Sequence, residues 1–208
     1  MIRQVARLMA AFAENGSSPA RTRHYLLFGT DICGYSRCDQ SAQIQLRDSS
    51  FKIFQEACRS ACIPPRLCRV EDRGDGLLMV ADSKIGLEAV FPTFINSARA
   101  GVREHNARLA RKDSRMRLRM ALHAGFLHRD AHGFSGDAVN HLSRLLDAPA
   151  FKDRMAEHGA AFAVIVSADL YHDAASFHLI DPRIATPIDV NVKETRSRAW
   201  MLTSCGGR

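Results

Sequence analysis

The run HYLLFGTD (24–31) is apolar up to an abrupt acidic end, a pattern that predicts a strand buried on both faces delivering Asp31 to its tip. Between residues 40 and 62, Ile44, Phe51, Phe54, Ala57 and Ala61 recur near helical spacing, and Pro64-Pro65 closes that helix. LCRVEDRGDGLLMVA reads as two short strands around a tight turn, whose glycines permit positive φ and whose tip carries Glu71 and Asp75. Leu87, Val90, Phe91, Phe94, Ile95, Val102 and Leu109 predict a second long helix over 86–110, with Pro92 as a kink or a start. RMRLRMAL (115–122) alternates basic and apolar side chains, as a strand with one buried face does, and its arginines are read as solvated.

A glycine-punctuated loop, HRDAHGFSGD, then leads into a helix from about Ala138 to Leu146. AFAVIVS is another buried strand, and short strands near 187–193 and 198–203 finish the domain. The order β-α-β-β-α-β with an appended αβ portion is that of the ferredoxin-like split motif, so the fold class is α+β. We expect one domain over 23–204, preceded by a short amphipathic helix and tether over 1–22.

Size supports this organisation: 208 residues, 46% of them hydrophobic, suffice for one well-buried core and are short for two. Lys plus Arg exceed Asp plus Glu by 29 to 22, which favours polyanionic partners without choosing among a triphosphate, a nucleic acid and an anionic membrane. Six cysteines include no C-x-x-C, so reduced thiols in a cytoplasmic protein are expected, and the N-terminal apolar run is too short for a signal or a membrane span.

Asp31 and Asp75 would converge at one edge of such a sheet. Paired carboxylates suit Mg²⁺ or Mn²⁺, hard cations that leave positions open for phosphates, and two such ions can activate a hydroxyl and neutralise a leaving pyrophosphate. Either aspartate alone is better read as a turn residue. In GDAVNHLSR, Asn140 and Arg144 stand four apart on one helix face, where an amide and a guanidinium can meet one ligand.

With those segments in place, the sequence resembles the class III nucleotidyl cyclases, in order, over roughly residues 24–203. DICGYS looks like the family's D-I-x-G-F-T segment, EDRGDG like its E-T-I-G-D hairpin, and GDAVNHLSRL like its G-D-x-V-N-x-A-x-R-L helix. The resemblance implies that Asp31, the Ile32 carbonyl and Asp75 hold two metal ions, that Asn140 orients the ribose, and that Arg144 steadies the reacting phosphates. Lys193, in VNVKE, resembles a late lysine near the triphosphate. The family works as head-to-tail dimers, one chain giving the aspartates and the other the Asn and Arg, so a homodimer is implied.

Base recognition departs from the family. Adenylate cyclases use a Lys with an Asp or Thr, and guanylate cyclases a Glu with a Cys; here those places hold Glu71 and Gly133. A carboxylate at Glu71 accepts from the imide N–H of uracil or guanine, so UTP or GTP should beat ATP or CTP. Arg73 stands ready to donate to a base carbonyl, or is a solvated turn residue. Short cyclase domains lacking the purine pair also look like the pyrimidine cyclases of the Pycsar anti-phage system, whose cyclic product activates a separate receptor. UTP is the favoured substrate on this reading; guanylate and adenylate cyclase are the alternatives within the family.

The rival from another class is an inactive cyclase-like module that binds nucleotide or RNA. Against RNA, the one Trp and three Tyr include none in an RNP-like strand, and a polymerase-like palm would leave Asn140 and Arg144 unexplained. We therefore expect no nucleic-acid and no membrane partner. His123, His128 and His132 have no metal-ligand spacing, Ser36 and Ser135 have no base beside them, and Cys58 and Cys62 read as small packing residues.

Overall fold

The computed structural model of the chain describes residues 21–109, 115–130 and 133–203. The helix and tether expected over 1–22 lie, up to residue 20, outside the described residues, as do His132 and Cys205. Residues 21 and 22 already belong to the first strand.

The strands are β1 (Arg21–Ile32), β2 (Cys68–Asp72), β3 (Leu77–Asp82), β4 (Leu118–Asp130), β5 (Gly133–Ser135), β6 (Phe162–Ser167), β7 (Ala185–Val192) and β8 (Thr195–Leu202). They form one sheet in the order β2-β3-β1-β4-β6-β8-β7, with β5 folded back on β4. The β2-β3-β1-β4 portion is antiparallel throughout and is the ferredoxin-like core expected from sequence. β6 joins β4 in parallel, the pairing that requires a crossover through helices.

The helices are α1 (Gln40–Ser60), α2 (Ile95–Ala107), α3 (Asp137–Asp147), α4 (Pro149–Glu157) and α5 (Ala168–Ser176). They cover both faces of the sheet, which explains why its central strands read as continuous apolar runs. Leu26, Phe28, Met120, Leu122, Val164 and Val166 face α1, α2 and α5 in one core. Leu27, Ala121, Ala163 and Ile165 face α3 and α4 in the other.

Asp39 caps α1 by accepting the Ala42 N–H at 2.8 Å. The second long helix begins later than its periodicity suggests: Phe91 has extended dihedrals, the Phe91–Pro92 bond is cis, and the regular α-helix starts only at Ile95. α4 and α5 were not expected. β4 is also longer than the alternating stretch, running through His123 to Asp130, so that much of the supposed loop is strand. Cys58 and Cys68 pack against the core, and burial pushes both thiols up to about 12, as fits neutral packing groups.

Candidate active site

Three groups of side chains stand out: one where β1 ends, one on the outer surface of α3 and one between β2 and the β4–β5 hairpin. The first is built where β1 ends. Thr30, buried, accepts the Leu77 N–H on its hydroxyl at 2.9 Å, and the Ile32 N–H donates to the Asp75 carbonyl at 2.8 Å. A Cβ on Gly76 would run into the Thr30 carbonyl, so only glycine lets the β2–β3 hairpin lie this close to β1. The Arg73 N–H closes the turn on the Gly76 carbonyl at 2.9 Å, and Asp72 accepts the Gly74 N–H at 2.8 Å. Asp31, Ile32 and Asp75 are thereby brought together, as the sequence reading requires.

Burial, and then the neighbouring Asp31 charge, raise the Asp75 carboxyl above the ordinary aspartate range. Arg119 answers that negative potential. It is the cross-strand partner of Asp31 and pairs with its carboxylate. The expectation that the β4 arginines are solvated is thus corrected for Arg119: the face it occupies abuts the aspartates, and its side chain is only 14% exposed. Its Nε is buried without a hydrogen-bond partner, a donor left over for an anion.

This donor set fits a divalent ion. Among the described residues no three His, Cys, Asp or Glu side chains gather around one point. Two carboxylates with a backbone carbonyl nevertheless match Mg²⁺, which is commonly held by one or two carboxylates and takes the rest of its shell from water and phosphates. A cation there would also relieve the repulsion that raises Asp75.

The second group lies on α3. Asn140 is exposed and Arg144 half-buried, four residues apart on one face. Arg144 Nη2 donates to Glu194 Oε1 at 3.3 Å, while its Nε is buried and unpartnered. Glu194 follows Lys193, whose φ of 51° makes the β7–β8 turn. The turn's own backbone N–H, and then Arg144, hold the Glu194 carboxyl below its usual range. The fold therefore sets Lys193 at the turn that meets Arg144. No hydrogen bond or ion pair joins Asn140 or Arg144 to Asp31 or Asp75.

The third group gathers around Glu71. The β4–β5 hairpin brings Gly133 beside it: among the described residues, a Cβ built on Gly133 would meet Glu71 Oε1 at 3.7 Å. Glu71 Oε2 accepts from Arg73 at 2.7 Å, so Arg73 is tied to Glu71 as well as exposed. Arg129 lies over the Phe134 ring at 5.8 Å. Desolvation, and then Arg129, lower the Arg69 guanidinium, while Glu71 opposes that shift. Spacing gave no sign of Arg119 or Arg129; both are placed by strand register.

A separate cluster sits beneath the start of α3. His123 bonds to Ser167 at 2.9 Å and its ring lies 4.6 Å from that of His141. Burial, and then His141, push His123 down to about 4. His128 lies 3.4 Å from the Thr22 hydroxyl.

The fold is that of the class III cyclase catalytic domain. A cyclase/hydrolase of the adenylate/guanylate type from Silicibacter pomeroyi superposes with a TM-score of 0.64 at 16% identity, over 89% of this chain and 99% of that one. The guanylyl cyclase Cya2 gives 0.61 at 11% identity, over 89% and 93%. The guanylate cyclase domain of RhGC from Catenaria anguillulae, solved with GTP, gives 0.59 at 13%, over 90% and 99%. By sequence, no family model and no curated protein matches. Among the described residues no helix is long and apolar enough to cross a membrane.

Proposed function

We propose that this chain is a nucleotidyl cyclase that converts a nucleoside triphosphate, preferentially UTP, into its 3′,5′-cyclic monophosphate and pyrophosphate. The observation that carries the reading is the Asp31–Asp75 pair, pinned by backbone contacts and flanked by an arginine with a spare buried donor. Asp31, Asp75 and the Ile32 carbonyl would hold two Mg²⁺ or Mn²⁺ ions, which would supply Lewis-acid activation of the ribose hydroxyl and neutralise the leaving group.

The chain's own residues bind and orient. Arg119 releases Asp31 and turns its fork to phosphate oxygens. Asn140 hydrogen-bonds the ribose so that the 3′-oxygen stands in line with the α-phosphorus. Arg144 and Lys193 stabilise the charge that develops as the bond to the β-phosphate oxygen breaks, the hydroxyl proton passing to solvent. Exposed Asn140 on α3, apart from the aspartates, supports sites shared across a head-to-tail homodimer. Glu71, its Oε1 facing the space beside Gly133, accepts from the base imide. The product is a second messenger for a separate receptor.

The test is incubation of the purified protein with each of the four triphosphates and Mn²⁺, with products identified by mass. Predominant cUMP is expected. No cyclic product from any triphosphate would overturn the reading, and predominant cAMP or cCMP would overturn the role of Glu71.

A further inference from the structure

Cys58, Cys62 and Cys68 have no part in the site described above, and all three line one cavity. It lies between α1 and the β2–β3 hairpin, at the β2 edge of the sheet and on the face opposite α3, with a volume of about 290 Å³ among the described residues. Val70, Leu77 and Met79 line its sheet side, and Phe51, Phe54 and Cys58 its helix side. The small thiols keep the space open: Cys58 Sγ reaches Met79 Sδ at 3.9 Å, where a leucine or phenylalanine would fill the gap. An apolar cavity of about 150 Å³ already admits benzene, so this one has room for a larger apolar body. Without an occupant its walls face water and forgo dispersion contacts.

The mouth is polar and of one character. Gln55 and Arg59 line it from α1, four residues apart and on the same helix face as Phe51. The Gln55 side-chain amide makes no hydrogen bond among the described residues, and Arg59, paired with Glu56, remains exposed. Both groups donate hydrogen bonds, and no described carboxylate lines the cavity. We propose that this cavity binds a medium-chain carboxylate, with its tail against Phe51, Phe54 and Met79 and its head accepting from Arg59 and Gln55. A neutral chain would leave both donors to water, and a cation would meet Arg59 with nothing to offset it. The site is independent of the cyclase reading. It nevertheless touches the same hairpin: Val70 precedes Glu71 and Leu77 follows Gly76, so an occupant braces both strands that lead to the Asp75 turn.

The test uses the full chain, with decanoate and its uncharged counterpart 1-decanol as probes in calorimetry. Decanoate should bind once per chain, and Arg59→Gln, at an exposed position, should weaken it about tenfold while leaving 1-decanol within about twofold. Equal losses for both probes, or none, would overturn the carboxylate assignment. Cys62, exposed at the mouth, gives a reading on the unaltered protein. With decanoate at about ten times its Kd, maleimide modification of Cys62, followed by peptide mass, should slow about tenfold, and that of Cys38, outside the cavity, should not. A Cys62 that is unreactive in the free chain, with no decanoate bound, would assign the cavity to another part of the chain or to a second copy and overturn the proposal. Amide exchange over residues 70–77 should slow about threefold on binding. Exchange unaltered by bound decanoate would remove the bracing of the hairpin. Cys62→Trp, which fills the mouth, should abolish binding of both probes, and full affinity in that variant would place the ligand elsewhere.

Discussion

Gly76 lies so close to Thr30 that the hairpin bearing Asp75 can seat against β1 only where residue 76 has no side chain. The Thr30 hydroxyl then fixes the next residue, Leu77, by its N–H. Gly76→Ala should force the turn away, costing roughly 1–3 kcal/mol of stability and, through misplacement of Asp75, about a hundredfold in activity. Gly159→Ala serves as the control: that glycine has positive φ, and a Cβ on it would meet nothing within 4 Å among the described residues. It should lower the denaturation midpoint while leaving kcat intact.

Asp75 should show function and stability pulling apart. Its raised pKa means that the folded chain keeps this proton to higher pH than the unfolded chain does. The associated stability is therefore present at acid pH and is lost as pH rises through the folded pKa. Without metal at neutral pH, Asp75→Asn should be as stable as wild type or more so, and it should abolish cyclisation. Mn²⁺ should raise the melting temperature of wild type and not of Asp75→Asn. An equal rise in both would count against the metal assignment.

If the site is shared between chains, Asp75→Ala and Arg144→Ala, each inactive alone, should recover activity on mixing. One interface of the mixed dimer collects both lesions and the other is intact. Failure to recover despite demonstrated subunit exchange would place the site within one chain.

His123 predicts an acid limit to stability. Its pKa falls from 6.5 to about 4 on folding, so the unfolded chain binds the extra proton first as pH drops. The contribution is complete above 6.5, declines below it, and at pH 5 the loss from this group is roughly 2 kcal/mol. Urea titrations at pH 7.5 and 5 should show the difference, and His123→Asn should reduce it. The lowered His141 acts in the same direction.

Glu71→Gln should weaken the preference for UTP by about 1–3 kcal/mol, because an amide can present a donor where the carboxylate offers only acceptors. The readout is competition among equal concentrations of the four triphosphates. An unaltered product distribution would remove Glu71 from base recognition.

The parts of this fold legible in the sequence are those where one pattern dominates. HYLLFGTD and AFAVIVS are apolar on both faces, and Gly74 and Gly76 mark a turn that nothing else explains. The nine-residue helices α4 and α5 bury few side chains each, Phe151 and Met155 in one and Leu170, Tyr171 and Ala174 in the other, too few to establish a period. β4 past Leu122 carries histidines, a glycine and an exposed Phe126, and it is strand because β1 pairs with it, not because its own side chains demand it. Asp31 was visible as an isolated acid at a strand tip. Its partner Arg119 was not, because a cross-strand neighbour follows from register, a long-range property that local alternation leaves open.

The continuous β1–β4 ladder pairs Asp31 with Arg119 at one end and Arg21 with Arg129 at the other. One ruler therefore sets how far the proposed metal site at Asp31 stands from the β4–β5 hairpin that carries Gly133. An insertion or deletion between residues 119 and 129 would flip every side chain beyond it to the opposite face and shift the hairpin relative to Asp31 in a single step. Substitutions at 71, 73 or 133 leave the ruler intact. On the proposed function, lineages built on this ladder can change the base they cyclise by exchanging side chains, while its length stays fixed.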